Sequence, residues 1–389
     1  MTMRARATVL CCAVLLLSLA LAGAGLLLGQ REMPPLLFAP VTHPEAPASN
    51  GPHGPSTPAL RMPPGERPPQ FVLVSFDGAG WSRMWDYWFS VAERVPFHFT
   101  GFLSGTYLLS ERTRDAYHPP YYPAGSSQIN WYDEADLPVE IANLNRALRT
   151  GNEIGTHFNG HFCAGAGLPS GGNTWSEADW EQELSQFFNL LTDYRTNNQL
   201  PASVRLRLRP SDIHGSRTPC LEGSPEELYP ALRRHRLDYD SSFTHPGLSW
   251  PTRSPEGIWQ IGMALFPLHG RLPDGRTGVS VTTMDYNFYF TQRGAVPAPT
   301  AEDSARDSQQ VLETYRDMYA AAYSGNRAPL VLGNHFNDWN NGAYRDALAR
   351  FVLETCGRPE TQCVTYTELI AWMEAQTPRV LRRLQASTG

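Results

Sequence analysis

Residues 71–76, Phe-Val-Leu-Val-Ser-Phe, constrain the fold of this chain more than any other stretch. An uninterrupted apolar run of strand length suits a strand buried on both faces, the setting of a parallel sheet. Downstream the periodicity alternates. Residues 95–103 offer a second strand, and 115–132 form a loop rich in Tyr and Pro. A helix begins near Pro138 with Ile141, Leu144 and Leu148 on one face; Gly151 stops it, and a strand follows at 153–156. Trp180, Leu184, Phe187, Phe188 and Leu191 recur at helical spacing across 176–191, and 204–208 alternates like a strand. Ser224-Pro225-Glu226-Glu227 starts a helix with proline in first position and a capping box, Leu228 and Leu232 facing inward. Further strands are expected at 237–240, 258–263, 278–284 and 330–332, with helices at 304–323 and 344–355. Val364 opens a last strand that leads into a helix at 368–373. Strands alternating with helices predict an α/β fold with a parallel sheet. The alternation runs for roughly 300 residues, a length that suits a closed βα barrel better than an open sheet.

Such barrels carry their chemistry at the C-terminal ends of strands, and that is where the polar candidates fall. Asp77 ends the first run, and His157 follows the 153–156 strand in Gly-Asn-Glu-Ile-Gly-Thr-His-Phe-Asn-Gly-His, with His161 four residues on. Arg217 sits in Ser-Arg-Thr-Pro-Cys, Asp240 and Asp285 end or follow later strands, and His335 closes Gly-Asn-His. Two neutral imidazoles at a strand end can hold a divalent metal and leave its other positions open. Taken singly each residue has a plainer use: a turn aspartate, an ion-pair arginine, a hydrogen-bonded loop histidine. Their joint placement favours a site.

Composition removes several alternatives. The net charge is −6 and no long basic run interrupts it, which argues against nucleic acid as a partner. All 32 basic side chains are arginine, so chemistry that needs an ε-amine (P-loop phosphate transfer, pyridoxal phosphate, Schiff bases) is excluded. The 16 Tyr, 17 Phe and 10 Trp fill a core and also supply surfaces that stack on sugar rings. Arg4 and Arg6 precede an apolar run at 7–28, the pattern of an export signal. Ala20-Leu21-Ala22 offers a cleavage site. The run also approaches the ~20 residues that span a bilayer, so a cleaved signal and an anchor with its arginines in the cytoplasm are both open. Either way the rest of the chain is exported, and the only membrane contact expected is through this segment. The expected organisation is signal or anchor at 1–30, a Pro-rich linker at 31–69, the barrel at 70–380 and a tail at 381–389. Four cysteines lie beyond the apolar run, an even count that favours disulfides in an oxidising compartment. Cys356 with Cys363 closes a short loop, which leaves Cys163 with Cys220.

The order Ser-Phe-Asp-Gly, Gly-Asn-Glu-Ile-Gly-Thr-His-Phe-Asn-Gly-His, Arg-Thr-Pro and late Gly-Asn-His resembles the polysaccharide deacetylases, the NodB-like carbohydrate esterases of family four. Tyr-Asp-Ser-Ser at 239–242 and Asn-Arg-Ala-Pro at 326–329 resemble the chitin-deacetylase-like branch. The resemblance implies a distorted (β/α) barrel around one divalent ion, zinc or cobalt, that removes acetyl groups from a polysaccharide. By position it implies His157 and His161 as metal ligands, Asp77 as general base, His335 as general acid and Arg217 as the residue that orients the base. It also implies a backbone N–H near Cys220 as oxyanion donor. One departure matters. The family shows two adjacent aspartates in its first motif, the second a metal ligand, whereas Asp77 is followed by Gly78. Three outcomes are open: Asp77 itself binds the metal, another carboxylate such as Asp285 does, or the barrel is catalytically inactive and binds cell-surface glycan.

Overall fold

The computed structural model describes residues 61–387, residue 64 apart. The apolar run and most of the linker lie outside the described residues, among which no helix is long and apolar enough to cross a membrane. The described residues form β1 (Gln70–Gly78), β2 (Thr100–Leu103), β3 (Glu153–Thr156), β4 (Gly215–Ser216), β5 (Tyr239–Asp240), β6 (Thr244–Pro246), β7 (Thr252–Arg253), β8 (Trp259–Gln260), β9 (Met263–Pro267), β10 (Ser280–Thr282), β11 (Leu330–His335) and β12 (Thr361–Cys363). The main sheet runs β11-β1-β2-β3-β4-β5-β8-β7, parallel except where β7 meets β8, and β12 pairs with the start of β1. β6, β9 and β10 form a second, smaller sheet. It returns to β11 through a bridge between Met284 and Gly333 and through the Thr283 hydroxyl, which donates to the Val331 carbonyl at 2.8 Å. Two sheets joined in this way make a distorted (β/α) barrel, as the sequence resemblance implies, in place of one evenly closed sheet.

β1 is the axis because its apolar run satisfies both faces. Phe76 points outward onto the helix Ser82–Ala92, its ring 4.7 Å from that of Trp88, and Trp85 stacks on the neighbouring Phe89 at 5.5 Å. Ser75 and Asp77, one residue to either side, therefore point inward. The helix Leu137–Arg149 packs alongside through Ile141 and Leu144 and brings Glu140 into the core. There Trp85 Nε1 and the Tyr132 hydroxyl donate to the Glu140 carboxylate at 3.3 and 2.9 Å. Burial outweighs these bonds and raises its pKa from 4.5 to about 8. The folded chain thus keeps a proton that the unfolded chain releases above pH 4.5. Stability from this group is complete below that pH and is lost as pH rises towards 8, on the order of 4–5 kcal/mol. Urea midpoints at pH 5 and pH 8 are expected to differ in wild type and to draw together in Glu140→Gln; an unchanged gap contradicts this.

Several sequence expectations need correction. Residues 204–208 form no strand: the Leu206 N–H goes to the Tyr194 hydroxyl and the Arg207 N–H to Asn145 Oδ1, so side chains take the place of a ladder. The strand before Arg217 is β4 instead. The 258–263 segment splits into β8 and the start of β9, and the 278–284 segment is antiparallel to β9. The last strand ends at Cys363, before Val364. Ser224 makes no capping bond; Glu227 instead accepts the N–H of Glu177 at the start of the neighbouring helix, at 2.7 Å. The helix Pro378–Gln385 runs into the segment read as a tail. Both expected disulfides are present, Cys163–Cys220 and Cys356–Cys363.

Candidate active site

Arg217 follows β4 and is carried wholly inside, its side chain 0% exposed. The guanidinium lies 4.7 Å over the Phe102 ring and spends all five N–H donors. Nε donates to the Ser241 carbonyl at 3.0 Å, and Nη1 to Ser75 Oγ and Asp77 Oδ1, each at 2.8 Å. Nη2 donates to Ser241 Oγ at 2.9 Å and to the Tyr366 hydroxyl at 2.7 Å. A buried ion pair repays its desolvation only when its remaining polar atoms are bonded in this manner. Burial works to raise the Asp77 pKa, but Arg217, with His157 and His335 beyond it, outweighs burial and holds the carboxyl below its usual range. Asp77 is thus ionised, with Oδ1 fixed and Oδ2 outside the Arg217 bond.

His157 leaves the end of β3 buried, and its Nδ1–H donates to the Arg217 carbonyl at 2.8 Å. That bond sets the tautomer and leaves the lone pair on Nε2. Burial drops its pKa to about 3, so the ring is neutral. The chain then reverses through Phe158 (φ 56°) and His161 (φ 60°), which brings the second imidazole beside the first with ring centres 5.2 Å apart. Burial, with His335 adding to it, lowers the His161 pKa as well. Two imidazoles on one tetrahedral zinc, with N–Zn bonds of ~2.0–2.1 Å, have ring centres about 5 Å apart, so the pair fits two corners of such an ion. The reversal is braced from beneath, where Glu183 accepts the Asn159 N–H at 3.1 Å and the Tyr117 hydroxyl at 2.9 Å.

A third protein ligand is harder to find. Among the described residues, His161, Cys163 and Cys220 are the one trio of ligand-type side chains whose donor atoms all lie within 4.8 Å of one another. The two sulfurs are bonded to each other, so they offer no thiolate. Asp77 does not join the two histidines in such a trio. Gly78 has φ 82°, a conformation glycine adopts freely and aspartate does not, although a Cβ there would meet only the Tyr107 ring at 3.6 Å. The donor set fits a divalent ion on two imidazoles with its other positions open.

His335 ends β11 directly opposite Asp77 in the ladder. Asp285 is not turned towards the histidine pair. Its Oδ1 takes the His335 ring nitrogen Nδ1 at 2.7 Å and the Tyr286 N–H at 2.7 Å. Its Oδ2 takes the His335 N–H at 2.8 Å and Asn337 Nδ2 at 3.0 Å. With four donors on it, Asp285 orients His335 and does not supply the missing metal ligand. Burial alone lowers the His335 pKa, but the charge and hydrogen bond of Asp285 outweigh it and leave the pKa raised. Asp240 is bonded by Tyr229 and Ser242, burial raises its carboxyl to about 6, and it does not line the cleft. Cys220 does not itself line the cleft, but its sulfur lies within 4.8 Å of a ring nitrogen of His161, which does.

Asp77, His157, His161 and His335 share one cleft of about 830 Å³, walled by Trp81, Tyr107, Trp131, Tyr132 and Trp339. The sequence reading missed Ser75, Ser241 and Tyr366 around Arg217, and the pairing of Asp285 with His335. Ser75 carries a signal, two residues before Asp77 and hence on the same strand face, and Ser241 lies in the Tyr-Asp-Ser-Ser motif at 239–242.

No family model matches this chain, and no curated protein does. Solved structures do, among them family 4 carbohydrate esterases and proteins described as polysaccharide deacetylases. A protein from Mycobacterium smegmatis assigned as a polysaccharide deacetylase is 14% identical over 84% of this chain and 96% of its own, with a TM-score of 0.46. A family 4 acetyl xylan esterase from Clostridium thermocellum, in complex with a cobalt ion, is 14% identical over 78% of this chain and 92% of its own, at 0.39. A family 4 pseudoenzyme from Bacillus anthracis is 9% identical over 78% of this chain and 66% of its own, also at 0.39.

Proposed function

We propose that this chain is an exported, metal-dependent deacetylase that hydrolyses acetyl groups, N-acetyl foremost, on a polysaccharide such as chitin-like oligomers or peptidoglycan. The observation that carries this reading is the convergence of a charge-fixed aspartate, two neutral histidines and a third, carboxylate-paired histidine in one aromatic-walled cleft. Export rests on the basic and apolar N-terminus, and the acetylated glycan rests on the motif resemblance and the aromatic walls. His157 and His161 would hold the ion, zinc or cobalt. When bound, it would polarise the acyl oxygen and bring the pKa of water down to about 7. Asp77, ionised and with Oδ2 outside the Arg217 bond, accepts a proton from the attacking water. His335, its Nδ1–H on Asp285, gives the Nε2 proton to the departing amine. The aromatic rings hold sugar faces and exclude water around the acetyl group.

Asp285→Asn tests the acid assignment. His335 acts in its protonated form, so activity is lost as pH rises through its raised pKa. Removal of the Asp285 charge lowers that pKa. The alkaline limb of kcat is expected to move to lower pH, with a loss of roughly 10²-fold at neutral pH. An unmoved alkaline limb contradicts the assignment.

The reading as a whole is tested by acetate release from acetylated chito-oligosaccharides by the full chain with zinc, before and after chelation. Release that disappears with the metal supports it, and no release under any metal overturns it. Gly78 favours a second reading, an inactive barrel that binds cell-surface glycan; retention of the oligosaccharide with neither metal nor release would select it.

A further inference from the structure

Ser104 lies at the end of β2, between β1 and β3 in the sheet. Phe102, two residues earlier, is level with Asp77 on one side and Gly155 on the other, and its ring faces Arg217. Side chains along an extended strand alternate, and Ser104 continues extended at φ −80°, ψ 122°. It therefore points to the same inner face as Phe102, one layer nearer the cleft mouth. The backbone holds it there from both sides: its N–H donates to the Gly78 carbonyl at 3.3 Å, and the His157 N–H donates to the Leu103 carbonyl at 2.8 Å. Ser104 is thus the residue between His157 and the position at which a second aspartate is missing. Its hydroxyl is buried and has no hydrogen-bond partner. Of the described side chains in that condition, it alone belongs to a residue lining the cleft. Folded chains rarely leave a buried hydroxyl unpaired unless something outside the chain pairs with it.

We propose that Ser104 is a positioning residue, its hydroxyl hydrogen-bonding, inside the cleft, the water that takes the place left without a carboxylate at Gly78. The inference rests on His157 and His161 as an ion site. It explains how two imidazoles serve where a third protein ligand is usual: a neutral hydroxyl fixes the water on the open side. Loss of such an outer contact typically weakens metal binding by 10–100-fold.

The test uses the full chain freed of metal by chelation and titrated with Co²⁺ and Zn²⁺ against a chromophoric chelator. Ser104→Ala is expected to bind each ion about tenfold more weakly and to change the visible absorption of the Co²⁺ form, while Ser104→Thr keeps both near wild type. The pair Ser104→Thr and Ser104→Val, alike in shape and different only in the hydroxyl, covers the case in which the alanine variant does not fold. If wild type and Ser104→Ala or Ser104→Val match in affinity and spectrum while His157→Ala loses the ion, the Ser104 inference falls and the histidine site stands. If wild type takes up neither ion, both fall.

Discussion

Arg217→Met is expected to destabilise the fold by roughly 3–5 kcal/mol, the cost of leaving a buried charge without its partner. The guanidinium is fully buried and all five of its donors are used. Its loss strands the Asp77 carboxylate and also leaves Ser75, Ser241 and Tyr366 short of a donor. Arg217→Lys is not a rescue, because an ammonium has three donors and no planar fork to span five acceptors. Asp77→Asn in the Arg217→Met background is expected to recover part of the lost stability, since it removes the unpaired charge. Chemical denaturation of the four chains measures the cycle. A loss below about 1 kcal/mol, the range of an exposed ion pair, contradicts the account of Arg217 as the centre of the site.

The second large effect falls on His157. His157→Ala is expected to reduce acetate release by more than 100-fold and to remove most bound metal, since even outer contacts to a ligand cost 10–100-fold. His335→Ala gives a different pattern, a loss of roughly 10²–10⁴-fold in rate with the metal retained. Parallel rate and metal measurements separate the two roles. Equal metal content in wild type and His157→Ala contradicts the ligand assignment.

What could be read from the chain alone follows from the range of the forces involved. The 71–76 run, the helix stopped at Gly151 and the strand ends at Asp77, His157 and His335 were legible because periodicity and turn residues act locally. β4 was not, since Gly215–Ser216 carries no apolar pattern and exists by pairing with β3 and β5. Residues 204–208 misled because alternation marks a half-buried extended segment whether or not a strand lies beside it. Asp285 reads as a possible ligand because sequence marks a carboxylate near a strand end but not its direction. That direction is set by four donors, two of them on His335, 50 residues away. The partners of Arg217 come from β1, from the residue after β5 and from the helix Tyr366–Ala375, a convergence only the fold creates.

The most direct measurement is anomalous X-ray scattering from crystals of the zinc-treated full chain at the zinc edge. The account predicts one strong peak about 2.1 Å from Nε2 of His157 and from a ring nitrogen of His161, inside the cleft that holds Asp77 and His335. A peak elsewhere, or none at a zinc concentration that supports acetate release, contradicts it.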